Sequence, residues 1–172
     1  MERQEINKIW LNFNKIMSKL PTPGVLVVTG NRKDKENIIT IGWMQFGFLW
    51  QEPSVSILVR PSRHSHKLLQ KYPEFTVNIL PLQFSEQIAF CGTNSGAYCD
   101  KFAETKLTKI NSKEIGVSSI KEAEISLECK LVHTNNIIPE NLNDVYLAKY
   151  YGSGDYHSIF TGTILNYREN FN

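Results

Sequence analysis

The fold is decided by residues 25–42, which read VLVVTGNRKDKENIITIG. The apolar, largely β-branched residues 25–29 predict a buried strand, and residues 38–42 predict a second one. Between them, residues 30–37 are polar and charged, which is typical of a hairpin turn. Two strands joined so closely are antiparallel, because neighbouring parallel strands need a crossover of a dozen or more residues. The segment therefore favours an antiparallel β fold over a parallel α/β sheet.

Outward from this hairpin, short strands and helices follow one another along the chain. Strands are predicted at residues 55–59, 75–80, 125–135 and 156–167, and helices at residues 6–20, 65–72 and 84–90. Residues 101–112 are predicted to be a loop, and residues 139–151 fit a helix or an extended segment equally well. With no internal repeat or linker, this order predicts a mainly β fold with helical additions, a closed barrel forming one domain over residues 1–172.

Composition and charge exclude several classes of protein. The 172 residues include 19 basic and 17 acidic side chains, a net charge of +2, which gives no electrostatic basis for binding nucleic acid or a membrane. The longest aliphatic run, residues 25–28, is too short to span a bilayer, and the N-terminus lacks a signal-peptide pattern. The three cysteines are an odd number without a Cys-x-x-Cys pair, which indicates reduced thiols. We therefore expect a soluble, cytoplasmic protein.

A basic turn at residues 60–66 reads RPSRHSH. Arg63 offers a guanidinium, and Ser65 is predicted to cap the helix that follows, because serine is a favoured N-cap residue. A helix N-terminus with an arginine and hydroxyls suits a phosphate group, and a solvated basic turn is the alternative. A metal site at His64 and His66 is disfavoured, since the two side chains do not converge and no acidic or thiol ligand is near in sequence.

Two further segments have the composition of ligand-binding loops. Residues 40–45, TIGWMQ, end a strand, and Gly42 would let a flat ligand approach the backbone. Trp43 and Met44 fit core positions equally well. Residues 91–96, CGTNSG, are small and polar and can surround a ligand with backbone N–H groups, but their glycine spacing matches neither a Rossmann nor a P-loop motif.

A nucleophilic triad is a further option that the sequence leaves weak. Cys91, His157 and Asp100 supply the residue types of a nucleophile, a base and an orienting carboxylate. Nothing in the sequence brings the three together, and residue types alone do not make a catalytic geometry.

Together these segments resemble the flavin reductase-like family of FMN-binding split barrels, and within it the flavoredoxin-type branch. The resemblance runs from about Thr22 to Ile164 and rests on the joint order and spacing of short motifs. These are TPGV at 22–25, NIITIGW at 37–43, RPSRHSH at 60–66, EFTVN at 74–78, CG at 91–92, SG at 95–96, DKF at 100–102, and DYH at 155–157, five residues before Gly162.

The resemblance implies a Greek-key split barrel that forms a homodimer and binds FMN in a groove near the interface. The FMN-binding residues that it implies are Thr40, Gly42, Trp43 and Met44 beside the isoalloxazine ring, Arg63, Ser65 and His66 at the phosphate and ribityl end, Asn78 at the ribityl chain or ring, and Ser95, Gly96 and Lys101 in the loop over the flavin. His157 takes the position of the late-strand histidine that faces the nicotinamide side in reductase members, so it is the implied catalytic residue. No metal is implied.

The predicted function is that of an FMN-binding oxidoreductase, which moves electrons from NADH or NADPH to FMN and on to an acceptor. Ala97 stands where family members often have arginine, and Tyr98 and Cys99 also depart from the family pattern. These departures keep open a flavoredoxin-like FMN electron-transfer protein that serves a redox protein partner without direct NAD(P)H turnover. A non-catalytic flavin-binding domain is the third possibility.

Overall fold

The computed structural model describes residues 3–170. The strands in this range are β1 (Val25–Gly30), β2 (Glu36–Ile41), β3 (Met44–Leu49), β4 (Glu52–Val59), β5 (Glu74–Ile79), β6 (Lys109–Ile110), β7 (Ser119–Ile120), β8 (Ile125–Asn136) and β9 (Ser158–Glu169). The α-helices are α1 (Arg3–Leu11), α2 (Phe13–Ser18), α3 (His64–Lys71), α4 (Ser85–Thr93), α5 (Lys101–Thr105) and α6 (Asp144–Tyr151). Short 3-10 turns lie at Leu82–Phe84 and Pro139–Asn141.

Seven strands form one antiparallel sheet in the order β2-β1-β5-β8-β9-β4-β3, and β6 pairs with β7 separately. The predicted hairpin of β1 and β2 is confirmed, with Val25 opposite Ile41 and Gly30 opposite Glu36. β8 and β9 are the longest strands, and their pairing is interrupted by register shifts near Cys129 and His133. Such irregularities bend a strand and increase its twist, which helps the sheet to curl.

The predicted closed barrel is not formed, because β2 and β3 are two free edges of the sheet. In a flat sheet of seven strands these edges would lie about 29 Å apart, at a spacing of roughly 4.8 Å per strand. Only Gly42 and Trp43 separate β2 from β3, and a link of this length reaches about 11 Å. The sheet must therefore curl until its edges approach, but the link is a bend rather than a hairpin turn, so the two strands do not fold back to pair.

The core has two parts, one on each face of the sheet. Val25 and Val27 belong to the larger cluster, which also includes side chains of α1, α2, β4 and β9. Leu26 and Val28 belong to the second cluster, under α4 and α5. β1 is thus buried on both faces, which explains why its sequence is continuously apolar instead of alternating.

Three local predictions need correction. The helix predicted over residues 6–20 is divided at Asn12, whose side chain donates to the hydroxyl of Tyr167 at 2.8 Å. The loop predicted at residues 101–112 contains α5, because the Asp100 carboxylate caps it by accepting from two backbone N–H groups. The segment predicted to enter a loop after residue 42 forms β3.

The ambiguous segment at residues 139–151 contains α6. This helix begins after Asn143, whose side chain accepts a hydrogen bond from the backbone N–H of Val145. None of the helices described between residues 3 and 170 is long and apolar enough to cross a lipid bilayer.

Candidate functional site

Two adjoining cavities lie where the end of β2 meets the loop before α3. The larger, about 270 Å³, is called here the aromatic cavity and is lined by Ile39, Thr40, Ile41, Gly42, Trp43, Leu58, Val59, Arg60, Arg63 and His157. The smaller, about 130 Å³, is called the cationic cavity and is lined by Asn37, Ile39, Ser62, Arg63, His64, Ser65, Thr93, Asn94, Ser95, Gly96 and Lys101. Ile39 and Arg63 line both, so the two cavities are parts of one cleft.

Trp43 is a partly exposed wall of the aromatic cavity. Its ring lies 4.7 Å from the His157 ring and meets the Tyr150 ring edge-on at 5.0 Å. Met44, in contrast, is buried in the main core and lines a separate groove along β3. The core alternative for these neighbours therefore holds for Met44, the first residue of β3, and not for Trp43, which lies in the link before that strand.

The loop before α3 is tied to the loop before β9, and this positions His157. Arg60 donates to the backbone carbonyls of Asp155 at 2.8 Å and Tyr150 at 2.9 Å. The Asp155 carboxylate accepts from the Ser62 backbone N–H at 3.2 Å and from the Ser62 hydroxyl at 2.6 Å. Residues more than 90 positions apart in the chain are thereby brought to the same wall of the cavity.

His157 is held as a neutral imidazole. Burial and, to a smaller extent, the Arg60 charge lower the pKa of His157 to about 4, with Asp155 opposing them. Its Nδ1 lies 2.7 Å from the Tyr151 hydroxyl. At neutral pH the ring therefore carries no charge and can donate or accept one hydrogen bond into the cavity.

The cationic cavity places two basic side chains and several polar groups around a small volume. Arg63 donates to the carbonyl of Gly92, and Lys101 donates through Nζ to the carbonyls of Cys91 at 2.7 Å and Ile38 at 2.8 Å. Lys101 is buried, and burial lowers its pKa. A fixed guanidinium next to a buried ammonium gives this cavity a positive potential that suits an anion.

One buried atom of the cationic cavity lacks a protein partner. His64 Nε2 is shielded from solvent and has no hydrogen-bond partner within residues 3–170. Burial lowers the pKa of His64, as do Lys35, Lys67 and Lys101. A buried polar atom without a partner is costly, so this nitrogen is a group that a polar ligand could satisfy.

Ser65 does not cap α3, and that prediction is wrong. α3 begins at His64, with Arg63 in the N-cap position and no side-chain cap. The Ser65 hydroxyl is buried in the first turn, where it accepts from Asn37 at 2.8 Å and Thr29 at 3.1 Å. Those two partners come from β1 and β2, so long-range packing overrides the local capping preference.

Gly96 lies against Asn37 more closely than any other residue type would permit. A Cβ atom added at Gly96 would lie 1.9 Å from Asn37 Oδ1. The loop at residues 94–96 therefore packs on the start of β2 without a side chain between them.

Most of the predicted site residues come together in the cleft, and three do not. Those that line it are Thr40, Gly42, Trp43, Arg63, Ser65, Ser95, Gly96, Lys101 and His157. Met44 lies elsewhere, as do two buried polar side chains: His66 bonds the Ser158 hydroxyl at 2.8 Å, and Asn78 bonds the Ile120 backbone N–H at 3.0 Å. His66 thereby joins α3 to β9, and Asn78 joins β5 to β7.

Several lining residues were missed by sequence reasoning. The lining residues that were not among the predicted site residues are Asn37, Ile39, Ile41, Leu58, Val59, Arg60, Ser62, His64, Thr93 and Asn94. Most of them lie inside the motifs at 37–43, 60–66 and 91–96, so taking each motif whole would have found them.

Two other chemistries find no support in this geometry. Within residues 3–170, no group of three or more His, Cys, Asp or Glu side chains is arranged to hold a metal ion. The triad is not assembled, because Cys91 is buried with its thiol pKa raised to about 11, and Asp100 caps α5.

Comparison with known proteins gives a consistent result. A family described as the flavin reductase like domain matches residues 17–172. An uncharacterized protein of Pyrococcus abyssi is 30% identical over 148 residues, covering 86% of this chain and 73% of that protein.

Solved structures of the same fold include two flavoproteins. Flavoredoxin of Desulfovibrio vulgaris (Miyazaki F) superimposes with a TM-score of 0.68 at 22% identity, covering 87% of this chain and 70% of that chain. An FMN-binding protein from Thermus thermophilus with bound p-hydroxybenzaldehyde has a TM-score of 0.66 at 22% identity, covering 86% and 73%. At these identities the likeness establishes a shared fold.

Proposed function

We propose, from the premise that this chain belongs to the flavin reductase-like domain family, that it is an FMN-binding oxidoreductase fed by NADH or NADPH. The observation that carries the proposal is the pair of adjoining cavities, one cationic and one aromatic, joined at Ile39 and Arg63. FMN has the matching construction, an anionic phosphate at one end and a flat ring at the other. When bound, it would supply the hydride and electron chemistry that amino-acid side chains lack.

In this proposal the cationic cavity holds the phosphate. Arg63 and Lys101 provide positive charge, and the first turn of α3 provides backbone N–H groups. The unsatisfied Nε2 of His64 and the proton of the Ser65 hydroxyl offer two more polar contacts. A dianion would satisfy groups that otherwise remain buried without partners.

The aromatic cavity takes the ring in the same proposal. Residues 40–42 form a wall at the end of β2, and Trp43 adds an aromatic surface. Gly42 leaves open space on this wall, since a Cβ atom there would meet only the Leu20 carbonyl, at 3.4 Å. His157 lies across from the wall, where its neutral ring can orient a nicotinamide or move a proton.

An anaerobic titration of the FMN-loaded protein with NADH and NADPH tests the proposal, with the visible flavin band as the readout. We expect bleaching faster than that of free FMN, and the faster of the two donors is the preferred one. Bleaching no faster than for free FMN, in protein that does bind FMN, would rule out nicotinamide-dependent reduction.

A second candidate function is electron transfer to or from a protein partner without nicotinamide turnover. It is favoured by a row of aromatic rings that connects the surface to the aromatic cavity. Tyr146 is exposed and stacks on Tyr150 at 6.3 Å, and Tyr150 contacts Trp43. Exposed Val145 lies beside this row on α6 and would suit a partner surface. A flavin band that dithionite bleaches and nicotinamides leave intact would favour this function.

The proposal includes a homodimer in the cytoplasm. β3 is an edge strand, and an uncovered edge tends to pair with another chain. Phe48 and Leu49 in β3 and Trp50 directly after it are exposed, beside a groove of about 470 Å³. Light scattering should give twice the chain mass, and Phe48→Lys should shift it toward the monomer while Val145→Lys should not.

A further inference from the structure

Tyr151 and His157 form a hydrogen-bonded pair at the rim of the aromatic cavity. The phenolic oxygen lies 2.7 Å from His157 Nδ1. The Tyr151 ring is buried at the end of α6, stacked on Tyr156 at 5.0 Å and contacted by the Arg60 guanidinium at 5.1 Å. Packing on both neighbours fixes the phenol independently of its bond to the histidine.

The proton in this bond belongs to the tyrosine. Burial raises the pKa of the Tyr151 phenol against smaller effects of the Arg60 charge and of the His157 backbone. If Nδ1 carried a proton, it would donate to the phenolic oxygen, and the phenolic proton would have no acceptor within residues 3–170. A buried hydroxyl proton without an acceptor is unfavourable, so the phenol donates and Nδ1 accepts.

The remaining ring proton is then on Nε2. His157 is neutral at pH 7, because burial and Arg60 lower its pKa to about 4 while Asp155 opposes them only in part. A neutral imidazole has one N–H, and Nδ1 is already an acceptor. Nε2 forms no hydrogen bond with the part of the chain that the structure describes, and the side chain lines the aromatic cavity.

We infer that Tyr151 is a positioning residue that fixes His157 as an Nε2–H donor toward the aromatic cavity. The cavity would therefore select substrates with an acceptor oxygen, such as a carboxamide or carbonyl, next to their reactive carbon. This inference deepens the proposed function and rests on it for the kind of substrate. A substrate ring without such an oxygen would leave the Nε2–H group of His157 unpaired and would bind less well.

The ring nitrogens of His157 can be observed directly in the protein alone, by proton–nitrogen correlation NMR at pH 7. We expect an unprotonated Nδ1 and a protonated Nε2 in the wild-type protein. Tyr151→Phe should shift the signals toward a mixture of the two tautomers. The matched control is Tyr156→Phe, since that ring stacks on Tyr151 but its hydroxyl makes no hydrogen bond within the described residues. A protonated Nδ1 in the wild-type protein would overturn the inference, whether or not either variant folds.

Substrate selection is tested with the FMN-loaded protein. Tyr151→Phe should lower kcat/KM for the preferred nicotinamide about 5- to 10-fold, the scale of one hydrogen bond, with FMN affinity unchanged. Tyr156→Phe should stay within about 2-fold of the wild type. 1-Methylnicotinamide should shift the His157 Nε2–H signal, while 1-methylpyridinium, which has no acceptor atom, should not. Equal shifts with both probes would overturn the inferred substrate class.

Failure of the proposed function and failure of the inference about Tyr151 give different results. If nicotinamides do not reduce the bound flavin but Nε2 is protonated and Tyr151→Phe changes the tautomer, the proposed donor fails and the positioning role of Tyr151 stands. If reduction is rapid but Tyr151→Phe behaves like Tyr156→Phe in both measurements, the inference fails and the proposed function stands.

Discussion

The two cavities of the cleft differ in how they are built. The cationic cavity draws its basic groups, Arg63, His64 and Lys101, from segments 60–66 and 91–101, each short and continuous in the chain, and Asn37 of β2 adds a polar group. The aromatic cavity needs the end of β2, the loop before α3 and the residue before β9, which are held together by Arg60 and Asp155. The basic groups for anion recognition thus lie in two short segments, whereas the aromatic cavity is assembled from elements far apart in the chain.

The largest expected effect is on the cationic cavity. Arg63→Ala should weaken FMN binding by about 1.5–3 kcal/mol, because a charged hydrogen bond to the phosphate is lost. The matched control is Lys67→Ala, which removes an exposed positive charge from the same helix. Isothermal titration with FMN and with riboflavin, which lacks the phosphate, measures the effect. An equal loss of affinity for both ligands would show that Arg63 acts through the fold alone.

Replacing one glycine of each cavity by alanine tests whether the two cavities are packed equally tightly. Gly96→Ala should lower the free energy of unfolding by about 1–3 kcal/mol, because its Cβ would displace Asn37 from Ser65. Gly42→Ala should leave stability unchanged or slightly higher, since its Cβ meets only one carbonyl at 3.4 Å. Urea denaturation of both variants provides the measurement. Comparable losses would mean that the aromatic cavity is packed as tightly as the cationic one.

The smallest expected effect concerns pH and the aromatic cavity. The pKa of His157 is lowered from 6.5 to about 4 in the folded protein, so between these values the unfolded chain binds a proton that the folded one does not. The free energy of unfolding should therefore fall by about 1–2 kcal/mol as the pH drops from 6.5 to 4, a figure reduced for partial exposure. Denaturation at several pH values should show a flatter profile for His157→Gln. An identical profile would indicate that other groups determine the acid sensitivity.

His64 and His66 contribute to that profile with the same sign. Burial lowers the pKa of each, so each also disfavours the folded state as it becomes protonated. Comparing the wild-type protein with His157→Gln separates the contribution of His157 to the pH profile from those of His64 and His66.

Features built from contiguous residues could be predicted from the sequence, and features built from distant residues could not. The β1–β2 hairpin and the basic turn were predictable, because turn residues and apolar runs act over short distances. The environments of His66 and Asn78 were not, because their partners Ser158, Ile120 and Ser126 are far away in the chain. The role of Ser65 was mistaken for a similar reason, since Thr29 and Asn37 engage its hydroxyl from the sheet.

The open sheet shows most clearly what cannot be predicted from the sequence alone. A series of short strands with turns is compatible with a closed barrel and with a curled sheet, and only the pairing partners distinguish them. β3 was missed because FGF at residues 46–48 and aromatic residues near a bend do not give a regular alternation. Its position at the far edge of the sheet could not be predicted without the order of all seven strands.

Because the link at Gly42 and Trp43 is short, slow opening of the sheet should also disturb the cleft. Because the link cannot reach across a flattened sheet, separating the edges requires an end of β2 or β3 to unravel first. Such unravelling would expose amides of residues 40–44, which include the wall of the aromatic cavity. Amide hydrogen exchange at these positions would then report subglobal opening, and a ligand bound against Trp43 should slow it.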